Sequence, residues 1–185
     1  MSSAPRQIRI LALDLGTKEI GYALLEDDML MRYGVRNFKK RTEKQRKPTV
    51  PGIDLVKTYK PDVVILGKLS HPERIGNPML KKLANRIIQF ARKQGTVVHE
   101  IESSTARKFL VKDRRPTKMN TAVLVAATYP ELSARLPHKG RILWTQKDKY
   151  WMNMFDALTL ALAYLQKRKR RKAAATYLNF NNKTI

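Results

Sequence analysis

The chain predicts an α/β fold, a mixed five-stranded sheet of three antiparallel strands and then parallel strands, flanked by helices. Three observations carry this prediction. The first three apolar runs are joined by tight turns, which only antiparallel neighbours allow. From residue 50 onward, short apolar runs alternate with stretches of helical period. The 185 residues are 43% hydrophobic, enough to bury the core of one domain.

Residues 8–14 read as a buried strand, and 20–25 as a second across a turn flanked by Gly16 and Gly21. Glu26, Asp27 and Asp28 form a polar hairpin connection, and Leu30 to Phe38 alternates as a third strand. Lys39 to Pro51 is a basic, proline-bounded loop. Ile53 to Tyr59 suits a short helix stopped by Pro61, and residues 63–66 form a fourth, fully buried strand ending at Gly67. Leu80, Leu83, Ile87, Ile88 and Ala91 recur at helical spacing, and Gly95 closes that helix. Thr96 to Ile101 makes a fifth strand. Ser103 or Ser104 caps a helix through Leu110, and another helix spans 120–129 before Pro130. A basic connection over 131–149 leads to a helix at 150–166 that is apolar nearly all round and therefore buried. The folded domain is predicted over 1–166 and a flexible basic tail over 167–185. Right-handed crossovers place the fourth strand beside the first.

A net charge of +23 far exceeds what solubility requires and points to a polyanionic partner, most plausibly nucleic acid. The chain has no cysteine, which excludes disulfides, thiolate zinc sites and thiol nucleophiles. Its three histidines, His71, His99 and His138, lack metal-ligand spacing. No run reaches the ~18 apolar residues of a spanning helix, and no signal-peptide core is present, so a cytoplasmic location without membrane association is expected.

Two acids stand out against this background. Asp14 ends the first strand, at the carboxyl edge where open sheets place their sites. Asp156 interrupts the buried helix, where an unpaired charge costs several kcal/mol. Each has a structural alternative: Asp14 as a cap on the turn at Gly16, Asp156 as an ion pair with Lys118 or an arginine.

The run Leu11-Ala-Leu-Asp-Leu-Gly-Thr-Lys18 with Ile20-Gly21, together with Phe155-Asp-Ala-Leu-Thr-Leu-Ala-Leu-Ala163, resembles the RNase H-like nucleases. Within them it is similar to the RuvC-like Holliday junction resolvases and the related YqgF (RuvX) family. The resemblance covers residues 8–166. It implies an RNase H-like fold and a catalytic metal site of Asp14, Asp156 and a third acid. RuvC carries a glutamate at the end of the fourth strand, where this chain has Gly67-Lys68. The YqgF pattern instead favours Glu100, with Glu102 as the alternative on the same face. Where RuvC has an acid three residues before the helix Asp, this chain has Asn153, a neutral oxygen donor.

Oxygen ligands of this kind suit Mg²⁺ or Mn²⁺, and the resemblance implies two ions. It also implies an endonuclease cutting four-way junction DNA as a homodimer. The rival readings are a YqgF-like nuclease of structured ribosomal RNA and a non-catalytic nucleic-acid-binding protein that keeps the fold. Lys18 is expected at the scissile phosphate. Lys39, Lys40, Arg41, Lys118, Lys147 and Lys149 are candidate phosphate contacts, as are Lys167, Arg168, Lys169, Arg170, Arg171 and Lys172.

Overall fold

A computed structural model describes residues 7–38, 50–69, 76–112, 115–137 and 145–181. Strands β1 (Arg9–Leu15), β2 (Glu19–Glu26) and β3 (Met29–Asn37) form an antiparallel meander. Helix α1 (Pro51–Tyr59) leads to β4 (Val63–Gly67), and α2 (Pro78–Lys93) leads to β5 (Val97–Ile101). Helices α3 (Ser103–Leu110) and α4 (Lys118–Thr128) follow, then a 3₁₀ turn over Pro130–Arg135 and the long α5 (Gln146–Asn181). The sheet order is β3-β2-β1-β4-β5, with β4 parallel to β1 and β5 parallel to β4. The expected topology is therefore present.

Alternation along the strands builds two cores, one on each face. Ile10, Ala12, Ala23, Val63 and Ile65 pack under α3, α4 and α5. Leu11, Leu13, Ile20, Val64 and Leu66 pack under α1 and α2. Because β1 and β4 are covered on both sides, they read as continuous apolar runs rather than alternating ones.

Local chemistry sets the ends of the elements. Asn77 caps α2 by accepting from the backbone N–H groups of Met79 and Leu80. Thr117 caps α4 through Asn120 N–H. α1 ends at Lys60 in the left-handed region (φ 44°), ahead of Pro61.

Two expectations change. The start of the predicted 131–149 connection belongs to a 3₁₀ turn, Pro130–Arg135, with Leu132 fully buried. The helix expected over 150–166 starts at Gln146 and continues through the expected flexible tail to Asn181. Lysine, arginine and alanine are good helix formers, so Lys167 to Ala175 extend a helix already nucleated by its buried half.

Candidate active site

The geometry starts from the way α5 crosses the sheet. A Cβ on Gly21 of β2 would run into the backbone of Asn153, so only glycine lets the helix lie this close. A Cβ on Gly67 of β4 would lie 3.3 Å from Leu160 Cδ1 and 2.9 Å from Asp14 Oδ1. The seven residues from Asn153 to Leu160 rise ~10.5 Å. That matches the ~9.6 Å across two strand spacings, from β2 over β1 to β4. Asn153, Asp156 and Leu160 share one helix face at i, i+3 and i+7 spacing. Asp156 therefore sits above β1, where Asp14 pairs with Gly21 and adjoins Gly67. Both carboxylates are buried, at 1% exposure for Asp14 and 4% for Asp156.

Asp156 is paired on both oxygens. Lys118 Nζ donates to Oδ2 at 2.5 Å, and Arg107 Nη1 donates to Oδ1 at 3.4 Å. The ion-pair alternative open at Asp156 is thus present, with the expected Lys118 and with Arg107 of α3. Asn153 Nδ2 donates to Glu19 Oε1 at 2.6 Å. Glu19 opens β2 on the same face as Gly21, so it adds a carboxylate to this edge. The sequence reading missed Glu19 and Arg107. The signal for Glu19 was its spacing of two from Gly21, which puts both on the helix-facing side of β2. Arg107 had no distinguishing pattern among so many cations.

Glu100 does not join this cluster. It pairs with Leu66, whereas Gly67 pairs with Ile101. On β5, Val98 packs into the α1/α2 core, while Ile101 packs into the other core and the His99 ring lies 5.2 Å from Tyr164 of α5. Alternation therefore turns the Glu100 side chain to the face opposite Asp14. Glu102 sits at the start of α3, where Ser104 Oγ donates to it at 2.6 Å and Thr105 Oγ1 at 3.5 Å. Neither acid supplies the third ligand in this arrangement, because the face of a strand residue is set by parity and not by closeness to the strand end.

The donor set decides what cation fits. Among the described residues, no three acids or histidines converge as a metal-binding group. Asp14 and Asp156 offer hard oxygens suited to one divalent cation. Beyond these two acids the arrangement offers the neutral Asn153 with the Glu19 carboxylate that it holds, and on β4 only Gly67. An ion held between Asp14 and Asp156 would have to displace Lys118 from Asp156.

The remaining candidates are spread over the surface. Lys18 is exposed in the β1–β2 turn, four residues after Asp14. Lys147 and Lys149 are exposed in the first turn of α5. Lys39, Lys40 and Arg41 lie outside the described residues. Tyr150 and Trp151 are committed to packing. Tyr150 donates its hydroxyl to Val35 O at 3.1 Å, and Arg135 lies over the Trp151 ring at 4.2 Å. Helix α5 sorts the basic block by face. Lys169 donates to Asp28 at 2.8 Å, Arg170 stacks over Phe109 at 4.6 Å, and Lys167, Arg168, Arg171 and Lys172 line a pocket against β5. No described helix is long and apolar enough to cross a membrane.

No family model and no curated protein sequence matches the chain. Solved structures do. Thermus thermophilus RuvC superposes with a TM-score of 0.61 at 14% identity, over 88% of this chain and 96% of that one. The yeast mitochondrial Holliday junction resolvase Ydc2 gives 0.59 at 15% identity, over 100% and 87%. Fowlpox virus resolvase, solved with its substrate Holliday junction DNA, gives 0.52 at 18% identity, over 86% and 98%. The chain therefore has the fold of the RuvC-type resolvases, an RNase H-like sheet flanked by helices.

Proposed function

We propose that this protein is a divalent-cation-dependent endonuclease acting on branched DNA, with Asp14 and Asp156 as its catalytic carboxylates. The observation that carries the reading is the burial of Asp14 at the end of β1 and of Asp156 on the helix face that crosses it, with Lys118 and Arg107 on Asp156, in a fold shared with resolvases. Asp14 and Asp156 would hold a Mg²⁺ or Mn²⁺ ion. Such an ion, when bound, polarises a phosphoryl oxygen and lowers the pKa of its water.

The protein's own groups complete the chemistry. Lys118 balances the Asp156 charge before the cation arrives and, once displaced, becomes a donor for the negative phosphate. Arg107 stays behind to orient the carboxylate. Glu19 fixes the Asn153 carboxamide above β2, and Lys18 extends from the adjoining turn toward the backbone of the bound strand. The fowlpox and Thermus proteins are described with Holliday junctions, which supports a four-way junction as the substrate. Two symmetric incisions then need two copies of the site related by a two-fold axis, hence a homodimer.

A second reading has its own support. Asp156 is held by two cations and β4 ends without an acid, which suits a protein that binds branched nucleic acid without cutting it. Purified protein incubated with labelled four-way junctions, linear duplex and structured RNA, with Mg²⁺, Mn²⁺ or EDTA, separates the two. Paired incisions on the junction that need the metal support the resolvase reading. Preferential cutting of RNA replaces it with RNA processing, and tight binding with no cutting leaves the binding protein.

A further inference from the structure

The pocket between β5 and the exposed half of α5 has a definite chemistry. β5 is an edge strand, so one side of its backbone is open. Against it, Tyr164, Lys167, Arg168, Arg171 and Lys172 recur at helical spacing and present one continuous stripe. The cavity between them measures about 310 Å³. The His99 and Tyr164 rings lie 5.2 Å apart at its aromatic end, tilted by 36°. Glu100 also lines the cavity, so one acid stands there against the four cations of α5.

We propose that this pocket holds one unpaired nucleotide of the bound nucleic acid, its phosphate on the α5 cations and its base on the His99–Tyr164 pair. Cations combined with aromatic faces are the working parts of single-strand recognition. The pocket lies apart from the acids. Tyr164 is eight residues beyond Asp156, ~12 Å along the helix. At ~3.4 Å per nucleotide step, the clamp engages the strand three to four nucleotides from the cut. This placement rests on the proposed nuclease reading, whereas the binding itself does not.

Full-length protein titrated with two fluorescein-labelled junctions, one with a frayed single-stranded arm and one fully paired, provides the test. Arg168→Ala with Arg171→Ala should lower the slope of log affinity against log salt by ~1.4–1.8, two cations' worth. Lys81→Ala with Lys82→Ala, an equal charge loss on the exposed face of α2, should leave it unchanged. Tyr164→Leu, which keeps the apolar packing, should weaken binding of the frayed junction about tenfold and of the paired one less than twofold. Tyr164→Phe should bind like wild type, and His99→Ala gives a second reading of the aromatic end at an exposed position.

Equal slope losses in the pocket and α2 variants would overturn the proposal, as would a Tyr164→Leu effect that is nil or the same on both junctions. Wild-type protein that binds but does not cut would sink the nuclease reading while these binding differences persist. Wild-type protein that binds neither junction would overturn both.

Discussion

The two halves of α5 place charge under opposite conditions. From Trp151 to Leu165 the helix lies on the sheet, and its one charge, Asp156, is neutralised by Lys118 and Arg107. From Lys167 onward it leaves the core, and six consecutive cations stand mostly in water. Buried charge must be paired where it stands, because desolvation costs several kcal/mol otherwise. Exposed charge carries no such requirement, because water solvates it. The exposed Lys169–Asp28 pair shows the difference, since a surface ion pair contributes about 0–1 kcal/mol and is screened by salt. One helix thus carries a buried, paired carboxylate at one end and an exposed basic surface at the other.

The largest effect should come from the buried end. Asp14→Asn should reduce junction cleavage at least ~100-fold, with junction affinity within about twofold, because the substitution removes one charge and almost no volume. Cleavage rates and binding isotherms on the same preparation check this, and normal cutting would remove Asp14 from the site. Gly21→Ala should lower stability by about 3 kcal/mol, since its methyl meets the Asn153 backbone, which cannot move without lifting the helix. A denaturant midpoint within error of wild type would contradict the crossing described for α5.

At the exposed end, truncation after Gln166 should flatten the salt dependence of binding by several counterions while cleavage at saturating substrate survives. Loss of folding on truncation would instead show that Lys169–Asp28 and the Arg170–Phe109 stack carry more than surface contacts usually do.

The smallest effects concern pH. Burial pushes the Tyr129 hydroxyl, which donates to Asp28 O at 2.9 Å, up to about 12. A folded-state value above the unfolded one near 10 favours the neutral phenol. The stability it contributes is therefore fully present below pH ~10 and is lost as pH rises through about 12. Tyr129→Phe should flatten that alkaline decline in thermal melts. At the acid end, the hydrogen bond and charge of Lys169 hold the Asp28 carboxyl below its usual range. That tether is complete above the ordinary carboxylate value and loosens as pH falls through the lowered one. Its melting signal should be small, since both side chains are largely exposed.

The parts of the molecule written as local pattern were legible in the sequence. The buried strands announced themselves as apolar runs, the meander through its short turns, and the place of β4 beside β1 through crossover handedness. Asp14 and Asp156 stood out because a lone charge in an apolar run demands a reason. What escaped depends on parity and on long-range partners. One residue of register decides that Ile101, not Glu100, looks toward Asp14. Arg107 lies 49 residues from its partner Asp156, and Glu19 lies 134 residues from Asn153. In the basic tail, charge and helix propensity are carried by the same lysines and arginines, and it is the propensity that continues the helix.

Asp14 and Asp156 are proposed to form one cation site, which Lys118 occupies until metal arrives. Calorimetric titration of Mn²⁺ into full-length wild type, Asp14→Asn and Lys118→Met tests it without requiring turnover. The account predicts one ion per chain for wild type, none for Asp14→Asn, and one ion bound more tightly by Lys118→Met because the competing ammonium is gone. Two ions per chain, or unchanged binding in Asp14→Asn, would contradict it.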